Sequence, residues 1–194
     1  TSFVVDAFTY GAVPQCTAYF LSHFHYDHYG GLTARFDWGP LYCSAITARL
    51  VQSQIGVKPE HIRIINPGNT YQIEGHRVTV LEADHCPGAV LLIFNVNGRN
   101  VLHTGDFRAT EQVLQSLQSF SIHTVHLDTT YCNEKYCFPR IETILSRLQD
   151  ICEKHRLPRT LFLCGTYTIG KERVFRAIVE RLGAKFWCPK DKKK

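Results

Sequence analysis

The sequence contains no methionine, and none of its apolar runs approaches the about 20 residues that a membrane-spanning helix requires. No basic-then-apolar leader opens it, so neither a membrane-spanning nor an export signal is read from it. A CxxC pair is missing as well. The eight cysteines, Cys16, Cys43, Cys86, Cys132, Cys137, Cys152, Cys164 and Cys188, stand singly, which weakens a cysteine-based zinc site. Most lie inside apolar strand or helix patterns and read as reduced core residues of an intracellular protein, not as a disulfide framework. No internal repeat or low-complexity tract is evident. A chain without methionine that opens at a strand, Thr1-Ser2-Phe3, reads as an excerpt of a longer protein, cut at both ends.

What is present suffices for a globular fold. The 194 residues are 44% hydrophobic, enough to bury a substantial core. The net charge of +5 permits a polyanionic partner without requiring one, and the basic tail 190–194 reads as a solvated run. Strand signals fall at 2–8, 17–21, 41–44, 62–65, 70–73, 77–82, 90–96, 100–103 and 124–127, separated by short polar or Gly/Pro turns. Helical spacing marks 45–54, 110–117, 141–156 and 171–182. Strands interleaved with helices predict a layered α/β domain. After Tyr131 the pattern becomes helix, strand (160–164), loop, helix, which places a boundary near Cys132 between domains 1–131 and 132–194.

The densest chemistry is His23-Phe24-His25-Tyr26-Asp27-His28, four ligand-type side chains in six residues directly after the apolar run Thr17-Ala18-Tyr19-Phe20-Leu21. Imidazole and carboxylate without thiolate suit a catalytic zinc or related divalent ion. A chain leaving a strand can aim His23 and His25 to one side while Asp27 and His28 turn to the other, so one loop can serve two metals. His85 and Asp106 follow on later strand ends, and the two oxygens of Asp106 can bridge ions about 3.5–4 Å apart. A single histidine at a strand end is usually a surface or hydrogen-bonded residue; a cluster of this kind is not. His103 and His126, alternating with apolar neighbours, are read as packed or surface residues.

Gly165-Thr166-Tyr167-Thr168-Ile169-Gly170-Lys171-Glu172 nearly spells a nucleotide-binding loop, but Glu172 stands where the magnesium-holding Ser or Thr belongs. Glycine-rich backbone, hydroxyls and Lys171 at a helix start still suit an anion. Thr166, Tyr167, Thr168, Gly170 and Lys171 are therefore candidates for a terminal DNA phosphate, against an ordinary helix-start loop capped by Thr168. Arg108 and Tyr131 are lesser candidates for lining a substrate groove.

Asp6, the His23-x-His25-x-Asp27-His28 motif, His85, Asp106 and Asp128 together resemble the series of the metallo-β-lactamase fold. His85-Cys86-Pro87-Gly88-Ala89, Thr104-Gly105-Asp106-Phe107-Arg108 and Asp128-Thr129-Thr130-Tyr131 are similar to the β-CASP branch, within it to the DNA cross-link repair nucleases, relatives of Artemis and Apollo. The resemblance covers nearly the whole chain. It implies an αββα sandwich, incomplete here, leading into a partial β-CASP α/β domain. It implies His23, His25, His85 and Asp106 around one zinc ion, and Asp27, His28 and a bridging Asp106 around a second. Asp6, Asp27 and Asp106 then form the catalytic acid set, Asp6 orienting a ligand imidazole or the attacking water, and Asp128 supports the edge of the site. The implied activity is zinc-dependent 5′→3′ exonuclease cleavage of single- or double-stranded DNA with a 5′-phosphate end, in the nucleus, during interstrand cross-link repair. The family takes a further histidine for the second metal from a later motif, so one of the two zinc sites is expected to be incomplete before Lys194. The rivals are an RNA-cleaving or other hydrolase on the same fold, and a catalytically silent nucleic-acid-binding module.

Overall fold

The computed structural model describes residues 2–189 and residue 192. The chain divides into two compact units, Thr1–Thr130 and Tyr131–Lys194.

In the first unit, β1 (Phe3–Val5), β2 (Ala18–Phe20), β3 (Leu41–Cys43) and β4 (Ile62–Ile64) form a parallel sheet in that order. A second sheet takes β5 (Thr70–Ile73), β6 (His76–Glu82), β7 (Val90–Val96), β8 (Arg99–His103) and β9 (Ile122–His126), antiparallel up to β8 and parallel between β8 and β9. The β7–β8 hairpin turns on Asn97-Gly98, both at positive φ (50° and 78°), a backbone twist that matches paired strands and that glycine adopts without strain. Parallel neighbours need a crossover. Helix α2 (Ala45–Leu50) lies between β3 and β4 in the chain and continues through a wider turn, Val51–Ile55; α3 (Glu111–Leu117) joins β8 to β9. Thr110 starts α3 by accepting the Val113 amide on its side-chain oxygen.

The apolar run of β7 explains the layering. Val90, Leu92 and Phe94 face Ala18 and Phe20 of the first sheet, with Val78 and Val80 beside them, while Leu91 and Ile93 face Leu102 and Val113 on the other side. A strand buried on both faces reads as a continuous hydrophobic stretch. Two sheets face to face with helices outside give the αββα architecture that the sequence implied.

The second unit pairs α4 (Ile141–Lys154) with α5 (Glu172–Leu182) around Cys152, Ile178 and Leu182, with Phe162 packed against them. Gln149 donates to the Ala177 carbonyl at 2.8 Å, and Arg181 binds Glu153.

Several expectations need correction. Strand 2–8 is cut to Phe3–Val5, because Asp6 turns out at φ 50°. No strand forms at 160–164: among the described residues none lies alongside to complete the hydrogen-bond ladder, and Leu161 and Leu163 are exposed. Only Cys43 and Cys152 of the eight cysteines are buried, since Cys132, Cys137 and Cys164 sit in exposed non-helical segments of the second unit. All eight are free thiols. No described helix is long and apolar enough to cross a membrane. Of the tail 190–194, only Lys192 lies within the described residues.

Candidate metal centre

The short segments that follow β2, β6 and β8 deliver the cluster. Past β2, Leu21 still pairs with Tyr42, and Ser22 then donates its amide to Asp6 Oδ1 at 2.8 Å and accepts the Val90 amide on its carbonyl at 3.0 Å. His23 follows, fully buried. The chain next makes a single helical turn, α1 (Tyr26–Tyr29), which the strand and helix patterns did not reveal and which carries Asp27 and His28. His85 stands on the turn after β6, held by hydrogen bonds between Ala83 and Ala89 and between Ala89 and Cys86. Gly88 in that turn has φ 83°, and its carbonyl accepts from Ser44 Oγ at 2.7 Å; a Cβ on it would meet Ser44 Oγ at 2.7 Å and Ile46 Cβ at 2.8 Å. Asp106 follows β8 by way of Gly105.

Two groups of donor atoms result. His23, His25, His85 and Asp106 form one, Asp27, His28 and Asp106 the other, each with its ligand atoms within 4.8 Å of one another. His25 Nδ1 lies 3.0 Å from His23 Nε2 and 3.1 Å from His85 Nε2. Asp106 Oδ2 is 3.8 Å from His23 and 3.5 Å from His85, while its Oδ1 is 3.1 Å from His28 Nε2. Asp27 Oδ2 is 3.7 Å from the same His28 nitrogen. Three imidazole nitrogens and a carboxylate oxygen facing one another are the donor set of a divalent transition metal, and Asp106 turns one oxygen toward each group. The residues fit a divalent metal ion.

The charges differ between the groups. Burial, then the neighbouring rings of His28, His25 and His85, push the His23 pKa down to about 2, so its ring is neutral. Burial also opposes charge on His28, but hydrogen bonds to Asp106 and Asp6 and their negative charges outweigh it and lift its pKa to about 10. The hydrogen bond from His28 in turn holds Asp106 down at about 2. Burial lowers His85 as well.

Asp6 sits behind the cluster, its side chain only 7% exposed, and binds His28 Nδ1 at 2.8 Å. Ser22, absent from the sequence-derived set, donates its hydroxyl to Asp6 Oδ2 at 2.5 Å and lies 3.0 Å from His23 Nδ1. Its only signal was a polar residue closing an apolar run immediately before His23. Buried Thr104 was also missed; its hydroxyl accepts the Asp128 amide at 2.9 Å. Asp128 itself accepts the Thr130 amide and adds negative charge near His85. His103 stacks on His126 and accepts the Gly105 amide at 3.1 Å, outside both ligand groups.

Thr166, Tyr167, Thr168, Gly170 and Lys171 belong to the second unit. Thr166 and Lys171 line one hollow of that unit together with Gly165. Lys171, at φ 64°, precedes α5 and places its ammonium over the Tyr167 ring, 4.3 Å from the centroid. The Gly170 amide goes to Glu172 Oε1 at 2.9 Å, and Lys192 Nζ meets that carboxylate and the Tyr167 carbonyl at 2.8 Å each. Tyr131 packs edge-on against Tyr136 and Phe138.

Residues 7–156 match the family described as the Beta-lactamase superfamily domain. The chain is 46% identical over 193 residues to the DNA cross-link repair protein SNM1 of Arabidopsis thaliana, across 97% of its own length and 40% of the relative's. It is 48% identical to the DNA cross-link repair 1A protein of Gallus gallus, across 100% of the chain and 20% of the relative. The 5' exonuclease Apollo of Rattus norvegicus is 32% identical across 96% of the chain and 35% of the relative. The chain thus spans 40% or less of the length of these relatives. A solved structure of a protein of unknown function from Enterococcus faecalis overlays 86% of the chain and 43% of its own with a TM-score of 0.58 at 20% identity, a likeness of fold.

Proposed function

We propose, from the premise that this chain belongs to the beta-lactamase superfamily in its metallo-β-lactamase form, that it is the nuclease part of a DNA cross-link repair protein. The reading is a zinc-dependent 5′→3′ exonuclease that hydrolyses DNA phosphodiesters from a 5′-phosphorylated end, single- or double-stranded, in the nucleus. One observation carries it: two ligand groups share the single carboxylate of Asp106. The relatives' names supply the DNA-repair context.

In this reading His23, His25, His85 and Asp106 would hold one ion, and Asp27, His28 and Asp106 the other. Zinc in such a site supplies Lewis acidity, making an attacking water more acidic and placing positive charge near the phosphoryl oxygens. Asp6 keeps His28 oriented from behind. Exposed Asp27 and partly exposed His85 and Asp106 leave one side of the cluster open to water, where a phosphodiester can approach. Asp128 supports that edge. Residues 132–194 then correspond to part of a β-CASP domain, and Thr166, Tyr167, Thr168, Gly170 and Lys171 to a pocket for the terminal phosphate, reached when Lys171 swings off Tyr167.

The test combines metal analysis of the intact gene product with digestion of 5′-phosphorylated and 5′-hydroxyl DNA strands, and of RNA. Bound zinc with cleavage that prefers 5′-phosphorylated DNA supports the reading. Equal or better cleavage of RNA points to another hydrolase on this fold, and salt-sensitive DNA binding without turnover to a binding module.

A further inference from the structure

We propose that Ser22 is a positioning residue that relays the Asp6 carboxylate to His23, fixing which ring nitrogen of His23 carries the proton and leaving Nε2 bare for a metal ion. The inference rests on the reading of His23 as a ligand.

Asp6 receives three donors: the Ser22 amide on Oδ1, and the Ser22 hydroxyl and His28 Nδ1 on Oδ2, at 2.8, 2.5 and 2.8 Å. A carboxylate in that position only accepts, so the single hydroxyl hydrogen of Ser22 is committed to it. Toward His23 Nδ1, 3.0 Å away, the same oxygen can therefore only accept, which requires a hydrogen on Nδ1. A neutral imidazole has one N–H. His23 Nε2 is then left with its lone pair directed at the cluster, 3.0 Å from His25 Nδ1 and 3.8 Å from Asp106.

The hydroxyl has little freedom to point elsewhere. Ser22 and His23 are both buried, the Ser22 carbonyl is tied to Val90, and Gly105 presses so close that a Cβ there would stand 2.7 Å from Ser22 Oγ. Asp6 thereby sets a ring proton in each ligand group, directly on His28 and through Ser22 on His23. A serine serving only to fill its site would not govern the His23 tautomer.

Long-range proton–nitrogen correlation spectra of the metal-free protein report that tautomer, and competition with a chromophoric chelator reports zinc affinity. Native protein is expected to show His23 as the Nδ1–H form. Ser22→Ala is expected to give mixed tautomers and zinc binding weaker by about 10- to 100-fold, the usual loss when a ligand's hydrogen-bond partner is removed. Asp6→Asn keeps the shape but donates an amide hydrogen toward Ser22, turning the hydroxyl onto His23 and favouring Nε2–H; it decides the matter if Ser22→Ala does not fold. Unchanged His23 tautomers in the folded variants, with zinc bound as in the native protein, overturn the relay alone. Native protein that binds no zinc overturns the metal reading beneath it.

Discussion

The His23, His25 and His85 group and the Asp27 and His28 group meet at Asp106, but they are held by different means. The first consists of three rings packed with centroids 4.6 to 5.0 Å apart, on backbone stitched to the second sheet through Ser22 and Val90 and to the start of α2 through Gly88 and Ser44. Its central histidine is buried and neutral. The second rides on a helix of four residues, with the Asp27 side chain 77% exposed and His28 holding a proton. The lesson is that one group is already arranged for a cation, whereas the other exchanges a proton for it.

Asp106→Ala attacks both groups at once. It is expected to remove metal from each, measured by elemental analysis, and, on the proposed nuclease reading, to reduce DNA hydrolysis by more than the about 100-fold that follows loss of an outer hydrogen-bond partner. Asp27→Ala is expected to abolish hydrolysis while leaving the melting temperature close to native, because an exposed side chain with few packing contacts adds little stability. Normal turnover in that variant removes Asp27 from the site.

Titration separates the groups further. With His28 at about 10, metal entering the second group near pH 7 displaces one proton, and its affinity should rise roughly tenfold per pH unit up to that value. The first group gains nothing from His23, already neutral above about 2. Calorimetry in buffers of different ionisation enthalpy counts the released protons; equal release at both groups would erase the contrast. In metal-free protein the His28 shift runs the other way for folding: its stabilisation is full below pH 6.5 and fades as pH rises through about 10. The smallest effect is expected from Gly88→Ala, where a strained positive φ and two close contacts cost about 1–3 kcal/mol. Metal binding by the first group should weaken with it, and the second should change less.

The sequence made the loop cluster legible because its ligand-type residues are contiguous and follow an apolar strand. His85 and Asp106 were legible as ligand-type residues at later strand ends, but their assignment to particular ligand groups came from motif resemblance, since 60 and more residues separate them from His25 and no local periodicity links them. Ser22 escaped because a serine after a strand is common and its meaning lies in a long-range hydrogen bond to Asp6. The strand at 90–96 was legible in the sequence, whereas its burial on both faces emerged only from the packing of the two sheets. Residues 160–164 carry an equally good strand pattern, yet a strand exists only where a neighbour accepts its backbone hydrogen bonds. Side-chain pattern is local; pairing is not. The same limit explains Lys171, whose place over Tyr167 depends on the left-handed turn before α5.

His23 and His25 hang from the end of the first sheet, His85 and Asp106 from the ends of strands in the second. Whatever those four side chains grip also fastens one sheet to the other. With an ion bound there, the centre would be a clasp across the sandwich, and the force needed to shear its two halves apart a matter of ion supply as well as of apolar contact.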